Sequence, residues 1–334
     1  MLALTICVPC YNSQDYLRRC LDSLLPCPDD VEIIIVNDGS TDQTLAMAEE
    51  YAKAWPAARV ISKENGGHGS AVNVGLAEAK GEYYKVIDSD DWVDRQAFAH
   101  ILDILRNQGE KKIDLLVSDY VYDKEGKKRK RVIDCAKALP SGRVFSWEEA
   151  KRFKRGQYML MHSMTVRTAM LRDLNFSLPE KSFYVDNLFA YFAAKHARRM
   201  YYIHEVFYHY YVGRADQSVN ENVMIKRIDQ QIKVNKLMAD ESHYEGIPKK
   251  AAQYLFHYME IVTAVTTILL YVGGTKKHVE QSRELWDYIK KECPGVYKGL
   301  KASYLGVILT LPGELGRHFA LKCYKLANRV FGFN

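Results

Sequence analysis

Short apolar runs alternate with helical patterns over residues 1–110, and this alternation limits the chain to very few folds. Runs at residues 5–8, 31–36, 60–61 and 83–87 predict strands. After the first, Tyr16, Leu17, Cys20, Leu21 and Leu24 recur at helical spacing, with Asn12 or Ser13 as the expected cap. The cluster Asn37-Asp38-Gly39-Ser40-Thr41-Asp42 has the composition of a turn and opens a second helix reaching about residue 54. A loop, Gly66-Gly67-His68-Gly69, precedes a third helix over residues 70–79. Repeated β-α units favour a parallel sheet with right-handed crossovers, and ligands of such sheets sit beyond the carboxyl ends of the strands. Residues 9–12, Asp38, residues 66–70 and residues 88–91 all fall at those ends.

The strand at residues 83–87 delivers Asp88-Ser89-Asp90-Asp91. Carboxylates at a sheet edge can hold a hard divalent cation through oxygen and leave positions open for a substrate phosphate. An Asp-rich turn can equally be a solvated loop, and Asp38 alone is ordinary turn chemistry. Glycines at residues 66–69 allow backbone amides to approach a diphosphate at a helix N-terminus, or serve only as a connection. His68 is read as a loop histidine that can meet a phosphate, and the Cys7/Cys10 pair as packing residues.

Four segments together resemble a known family. Val8-Pro9-Cys10-Tyr11-Asn12, Val36-Asn37-Asp38-Gly39-Ser40-Thr41-Asp42, residues 65–76 and Asp88-x-Asp90-Asp91 are similar to the motifs of family 2 glycosyltransferases of the bacterial, non-processive type. The resemblance implies a GT-A fold, Rossmann-like, with a mostly parallel sheet flanked by helices. It implies a nucleotide-sugar donor, most commonly a UDP-sugar, oriented by Pro9, Tyr11, Asn12 and Asp38, with Gly67, Ser70 and Asn73 bordering its diphosphate. A Mn²⁺ or Mg²⁺ ion is implied on Asp90, with Asp88 beside it. Val185-Asp186-Asn187-Leu188-Phe189 resembles the E-D-x-x-F segment, which makes Asp186 the expected base of an inverting transfer. Val185 replaces the glutamate, and Asp186 can also cap the helix over residues 187–196. Asp91 is expected to hold an acceptor hydroxyl. Residues 208–218 resemble the segment that follows the base, which brings Arg214 and Ser218 toward the donor.

The resemblance is dense over residues 3–120 and loose over 155–220. It therefore implies a transferase domain at 1–220, divided into a nucleotide-sugar half (1–110) and an acceptor half (111–220). A helical C-terminal extension at 221–334 follows. Within the acceptor half, residues 113–123 and 132–133 read as strands joined by a Lys/Arg-bearing hairpin, residues 147–153 as a helix capped by Ser146, and residues 158–166 as a strand. A long helix begins near Lys249, with His257, Tyr258 and Glu260 as a polar stripe. Its apolar part, residues 261–272, is too short to span a bilayer.

Charge is unevenly distributed. Residues 272–334 carry 11 basic and 5 acidic groups, which accounts for the whole net charge of +6. There, apolar residues 305–311 and Phe319, Leu321, Tyr324, Leu326 and Val330 alternate with Arg317, Lys322, Lys325 and Arg329. Such a segment either lies on an anionic leaflet or packs on its own domain with its cations in water. Seven cysteines, an odd number, and an N-terminus that runs directly into strand one lead to the expectation of a cytoplasmic protein, peripheral on the inner face of the plasma membrane if the tail binds it. The acceptor implied is a saccharide or a lipid-linked saccharide of cell-surface polysaccharide synthesis. No nucleic-acid module appears, and a homodimer stays open. Two other readings remain: an inactive GT-A-like binding or scaffold subunit, and a sugar nucleotidyltransferase.

Overall fold

The structure is a computed structural model describing residues 2–124, 130–154, 156–213 and 220–331. The chain divides into two compact units, residues 1–213 and 214–334.

The first unit opens with β1 (Leu4–Cys10), α1 (Leu17–Leu24), β2 (Val31–Asp38), α2 (Thr44–Ala54), β3 (Ala58–Lys63), α3 (His68–Glu78) and β4 (Tyr83–Val86). It continues with β5 (Trp92–Val93), α4 (Arg95–Arg106), β6 (Leu115–Lys124), β7 (Arg131–Ile133), β8 (Val144–Phe145), β9 (Met164–Arg167), α5 (Thr168–Asp173), α6 (Asp186–His196) and β10 (Met200–Val212). These strands form one mixed sheet of order β3-β2-β1-β4-β9-β6-β10-β5, with β7 on β6 and β8 on β10. The β1–β4 ladders and the β6–β10 ladder are parallel. β9 runs antiparallel between β4 and β6 and joins the two parallel halves.

The local pattern explains the first half. β1 and β2 are buried along their whole length, as central strands covered on both faces should be. Near their starts, two buried polar residues satisfy each other: Thr5 Oγ1 donates to Glu32 Oε1 at 2.6 Å. α1 buries Leu17, Cys20, Leu21 and Leu24, the face predicted from spacing. α3 lies so close to β1 that a Cβ at Gly75 would stand 2.3 Å from Cys7 Sγ, so no larger residue fits there. α4 is capped by Asp94, whose Oδ1 accepts from Gln96 N and Ala97 N, an arrangement worth about 1 kcal/mol. All seven cysteines are free thiols.

Three local expectations are corrected. α1 starts at Leu17 without a side-chain cap, because Asn12 turns into the left-handed region (φ 49°) and accepts instead from Thr41 N at 2.8 Å. The helix expected over residues 147–153 is one 3-10 turn, Trp147–Glu149. Ser146 and Glu149 still form its capping box. The strand expected over 158–166 is shorter and later. Met161–Ser163 is a 3-10 turn, and pairing begins at Met164, where β9 enters the sheet.

The second unit is helical: α7 (Glu221–Lys226), α8 (Ile228–Asp240), α9 (Lys249–Gly273), α10 (Lys276–Glu292), α11 (Pro294–Ala302), α12 (Tyr304–Leu309) and α13 (Gly313–Phe331). By length and composition α9 is apolar enough to cross a bilayer, with a mean hydropathy of 1.6 over 18 residues. Half of that window is buried, and its threonines are bonded to neighbouring helices. Asn235 Nδ2 donates to Thr263 Oγ1 at 3.1 Å, and Trp286 Nε1 to Thr267 Oγ1 at 3.2 Å. These bonds mark a core helix. Tyr258 is fully buried, so the polar stripe expected with His257 and Glu260 is reduced to that pair, 3.5 Å apart.

Candidate active site

The turn after β4 is held from three directions. From α1, Arg19 Nη2 donates to the Asp90 carbonyl at 2.8 Å while its guanidinium stacks on Trp92 and Tyr211. Ser13 and Ser89 share a 2.7 Å hydroxyl bond. From β10, Tyr208 Oη donates to Asp91 Oδ2 at 2.6 Å and accepts from Asp88 N at 3.1 Å, and Tyr211 N donates to Asp91 Oδ1 at 2.7 Å. Asp91 is 2% exposed. Both its oxygens thus anchor the turn to the sheet. Burial, with Asp90 and Asp88 adding like charge, pushes the Asp91 carboxyl well above the usual carboxylate range.

Asp88 is shifted the other way. His68, the first residue of α3, brings Nε2 to 2.8 Å from Asp88 Oδ1, and His162 brings Nδ1 to 3.8 Å from Oδ2. Burial raises the Asp88 carboxyl, but the charge and hydrogen bond of His68, with His162 and Lys85 behind it, outweigh burial and hold it low. In return, burial opposes the His68 cation while Asp88 more than compensates, so His68 is raised. Neighbouring carboxylates pulled in opposite directions are characteristic of catalytic sites.

Asp186 begins α6, and its Oδ1 accepts a 3.4 Å bond from Asn187 Nδ2. Burial pushes its carboxyl up to about 6, the His68 cation pulls it down and the Asp88 charge pushes it up. The charges that reach Asp186 are therefore those of the β4 corner. Asp186 is thus close enough to the corner for His68 and Asp88 to act on it, although about a hundred residues of chain separate it from Asp88.

The other residues singled out by sequence lie at neighbouring strand ends. Asp38, 2% exposed, accepts from Gly66 N (2.9 Å), Gly67 N (2.7 Å) and Lys63 Nζ (2.9 Å). Its carboxylate is filled by the loop that enters α3. Gly67 stands at φ 84°, and Lys181 N would lie 3.1 Å from a Cβ there. Ser70 Oγ donates to Glu180 Oε1 at 2.9 Å. Asn73 exchanges two 2.8 Å bonds with the Leu178 backbone. Gly67, Ser70 and Asn73 thus carry the segment that leads to Asp186 across the start of α3. Pro9 is buried in β1 and Tyr11 is 52% exposed beyond it. Arg214 and Ser218 lie outside the described residues.

Two residues of this site carry no sequence signal. Lys85 is fully buried beneath it, with Nζ donating to the His162 and Met164 carbonyls and burial lowering it to about 7. His162 sits against the Tyr208 and Tyr210 rings, and burial lowers it to about 4, so the imidazole is neutral. Its Nδ1 is buried with no hydrogen-bond partner. The ligand atoms of Asp88, Asp91 and His162 lie within 4.8 Å of one another. An unpartnered neutral imidazole nitrogen beside carboxylates is a mixed nitrogen and oxygen donor set that fits a divalent transition cation such as Mn²⁺ better than Mg²⁺, which prefers oxygen alone.

Comparison with known proteins agrees with this geometry. Among curated relatives, EpsH of Bacillus subtilis, described as a glycosyltransferase, is 33% identical over 226 residues, covering 62% of this chain and 60% of EpsH. Chondroitin synthase of Pasteurella multocida is 43% identical over 94 residues, covering 28% and 10%. This chain spans no more than 60% of the length of these relatives. Among solved structures, Staphylococcus aureus TarS 1-349 in complex with UDP-GlcNAc superposes with a TM-score of 0.71 at 21% identity, covering 99% of this chain and 91% of that fragment. The mannosyltransferase PcManGT from Pyrobaculum calidifontis, in complex with GDP-Man and Mn²⁺, gives 0.54 at 14% identity, covering 98% and 86%. At these identities the likeness is one of fold, and the fold is GT-A-like. Residues 5–181 match the model of glycosyl transferase family 2, more than half of the chain, and the chain belongs to that family.

Proposed function

We propose that this protein is an inverting glycosyltransferase that moves a sugar from a UDP-sugar to a saccharide or lipid-linked saccharide in cell-surface polysaccharide synthesis. The observation that carries this reading is the convergence of His68, His162 and Asp186 on Asp88 at the end of β4. UDP-GlcNAc in TarS and the chondroitin synthase relative support the donor and product classes.

In this reading Asp186 takes the proton of an acceptor hydroxyl. That oxygen bonds to the anomeric carbon from the face opposite the departing diphosphate, and the bond from carbon to the diphosphate oxygen breaks. Inversion follows from the single displacement. With a carboxyl raised to about 6, Asp186 is ionised at neutral pH yet basic enough to accept the proton. Asp88, Asp90 and His162 would hold the Mn²⁺ or Mg²⁺ ion, which supplies charge to the leaving diphosphate. His68 reinforces Asp88 from the side of α3. Asp91 is a positioning residue that keeps the turn in register with β10 through Tyr208 and Tyr211. Asp38 arranges the Gly66–Gly67 amides at the start of α3, where a diphosphate is favoured by the helix end.

The test is release of UDP from a panel of UDP-sugars, with and without a divalent cation and a saccharide acceptor. Cation-dependent release that disappears in Asp90→Ala is expected. Equal turnover by that variant would overturn the assignment. Donor binding with no transfer to any acceptor would instead favour the binding-subunit reading.

A further inference from the structure

The outward face of α13 has the wrong composition for a helix surrounded by water. Its inward positions are small or tied down: Gly316 and Ala320 are buried, and Tyr324 Oη donates to Glu221 Oε2 of α7 at 2.6 Å. A Cβ on Gly316 would meet the Leu311 carbonyl oxygen at 2.5 Å, so this side is packed to contact. The opposite stripe recurs every three or four residues as Leu315, His318, Phe319, Lys322, Lys325, Leu326 and Arg329, and all seven are exposed. Leu315 is 86% exposed, Leu326 64% and Phe319 49%. The preceding α12 adds Tyr304, Leu305 and Val307, and the linker adds Leu311, all exposed. More than half of the large apolar side chains exposed among the described residues lie between Tyr304 and Leu326.

A water-facing helix places its apolar stripe inward and its charges outward. Here the apolar side chains and the cations share the outward face. A boundary with an apolar and an anionic layer satisfies both. Charge also selects among occupants. From residue 293 onward the chain carries six basic residues, Lys298, Lys301, Arg317, Lys322, Lys325 and Arg329, against one acidic residue, Glu314. A second copy docked through this stripe would set its Lys322, Lys325 and Arg329 against the same three cations, with little acid to offset them.

We propose that α12 and α13 form a docking surface for anionic phospholipid bilayers. Leu315, Phe319, Leu326 and the exposed residues of α12 enter the acyl boundary, while Lys322, Lys325 and Arg329 meet lipid phosphates. The surface belongs to the second unit, and the proposal does not depend on the sugar or acceptor assigned at the β4 corner.

The experiment is co-sedimentation of the full chain with vesicles of phosphatidylcholine alone and of phosphatidylcholine mixed with phosphatidylglycerol, at low and high salt. Binding to the anionic vesicles, weakened by salt, is expected. Replacing Leu315, Phe319 and Leu326 together by serine should lower the partition coefficient at least about tenfold. Replacing Lys322, Lys325 and Arg329 by glutamine should lower it about fivefold per residue at low salt and far less at high salt. The charge variant is confined to exposed side chains and serves as the folded control, with circular dichroism and UDP release matching the parent. Equal binding to both vesicle types, or no loss in either variant, overturns the proposal. So does a fall in molar mass by light scattering in the serine variant without vesicle binding by the parent, which would make the stripe an interface between copies.

Discussion

Asp38 and Asp88 stand at the carboxyl ends of β2 and β4, the two parallel strands that flank β1, and both belong to segments that resemble family motifs, yet their surroundings differ. Asp38 is enclosed by donors from its own chain, two amides and an ammonium. Asp88 faces one histidine at hydrogen-bond distance and a second whose nearest nitrogen has no partner. A carboxylate whose acceptor capacity is filled shapes a loop. One whose neighbours remain unsatisfied marks where something else must bind. Position in a motif alone does not separate the two.

Three substitutions sharpen or break this contrast. The largest effect is expected from Asp186→Asn, which removes the proposed base. kcat should fall about a hundredfold or more with the donor KM little changed. In the parent, activity should be lost as pH falls through about 6, because protonation removes the base. A parent profile flat across that range would argue against Asp186 as the base. Next, His162→Ala should weaken the activating cation about 10- to 100-fold, read as the Mn²⁺ concentration for half-maximal turnover. An unchanged requirement would place the cation elsewhere and erase the distinction between the corners. The smallest effect on chemistry is expected from Asp38→Asn. It leaves one of three buried donors without its acceptor, so about 1–3 kcal/mol of stability should be lost in urea unfolding. kcat should hold while the donor KM rises. A collapse of kcat as deep as that of Asp186→Asn would show that Asp38 serves the reaction and not only the loop.

The parallel half of the sheet was legible in the sequence because its information is local. Buried central strands read as continuous apolar runs, α1 declares its face by spacing, and the carboxylates follow directly on β4. Failures occurred where long-range pairing decides. β9 is only four residues long and wins its place by lying between β4 and β6, so the apolar stretch ahead of it was read as strand although it forms a 3-10 turn. That insertion carries His162 to Asp88, and nothing in Met161-His162-Ser163 announces it. Lys85 lies within the strand run at residues 83–87, and no local pattern marks it. Only the tertiary structure shows its ammonium bonded to the His162 and Met164 carbonyls. Arg19 and Tyr208 grip the turn across 71 and 120 residues of sequence separation, beyond the reach of periodicity or capping signals.

The late insertion of β9 also sets an order of assembly. β1 to β4 pair among themselves, β4 reaching back to β1, so this half of the sheet can organise before β9 is made. The strand that bridges to the other half, and β10 with its tyrosines, arrive only with the last 50 residues of the first unit. A nascent chain therefore exposes Asp88 to Asp91 well before His162 and Asp186 are made, and the corner described here is complete only once the whole first unit has been synthesised.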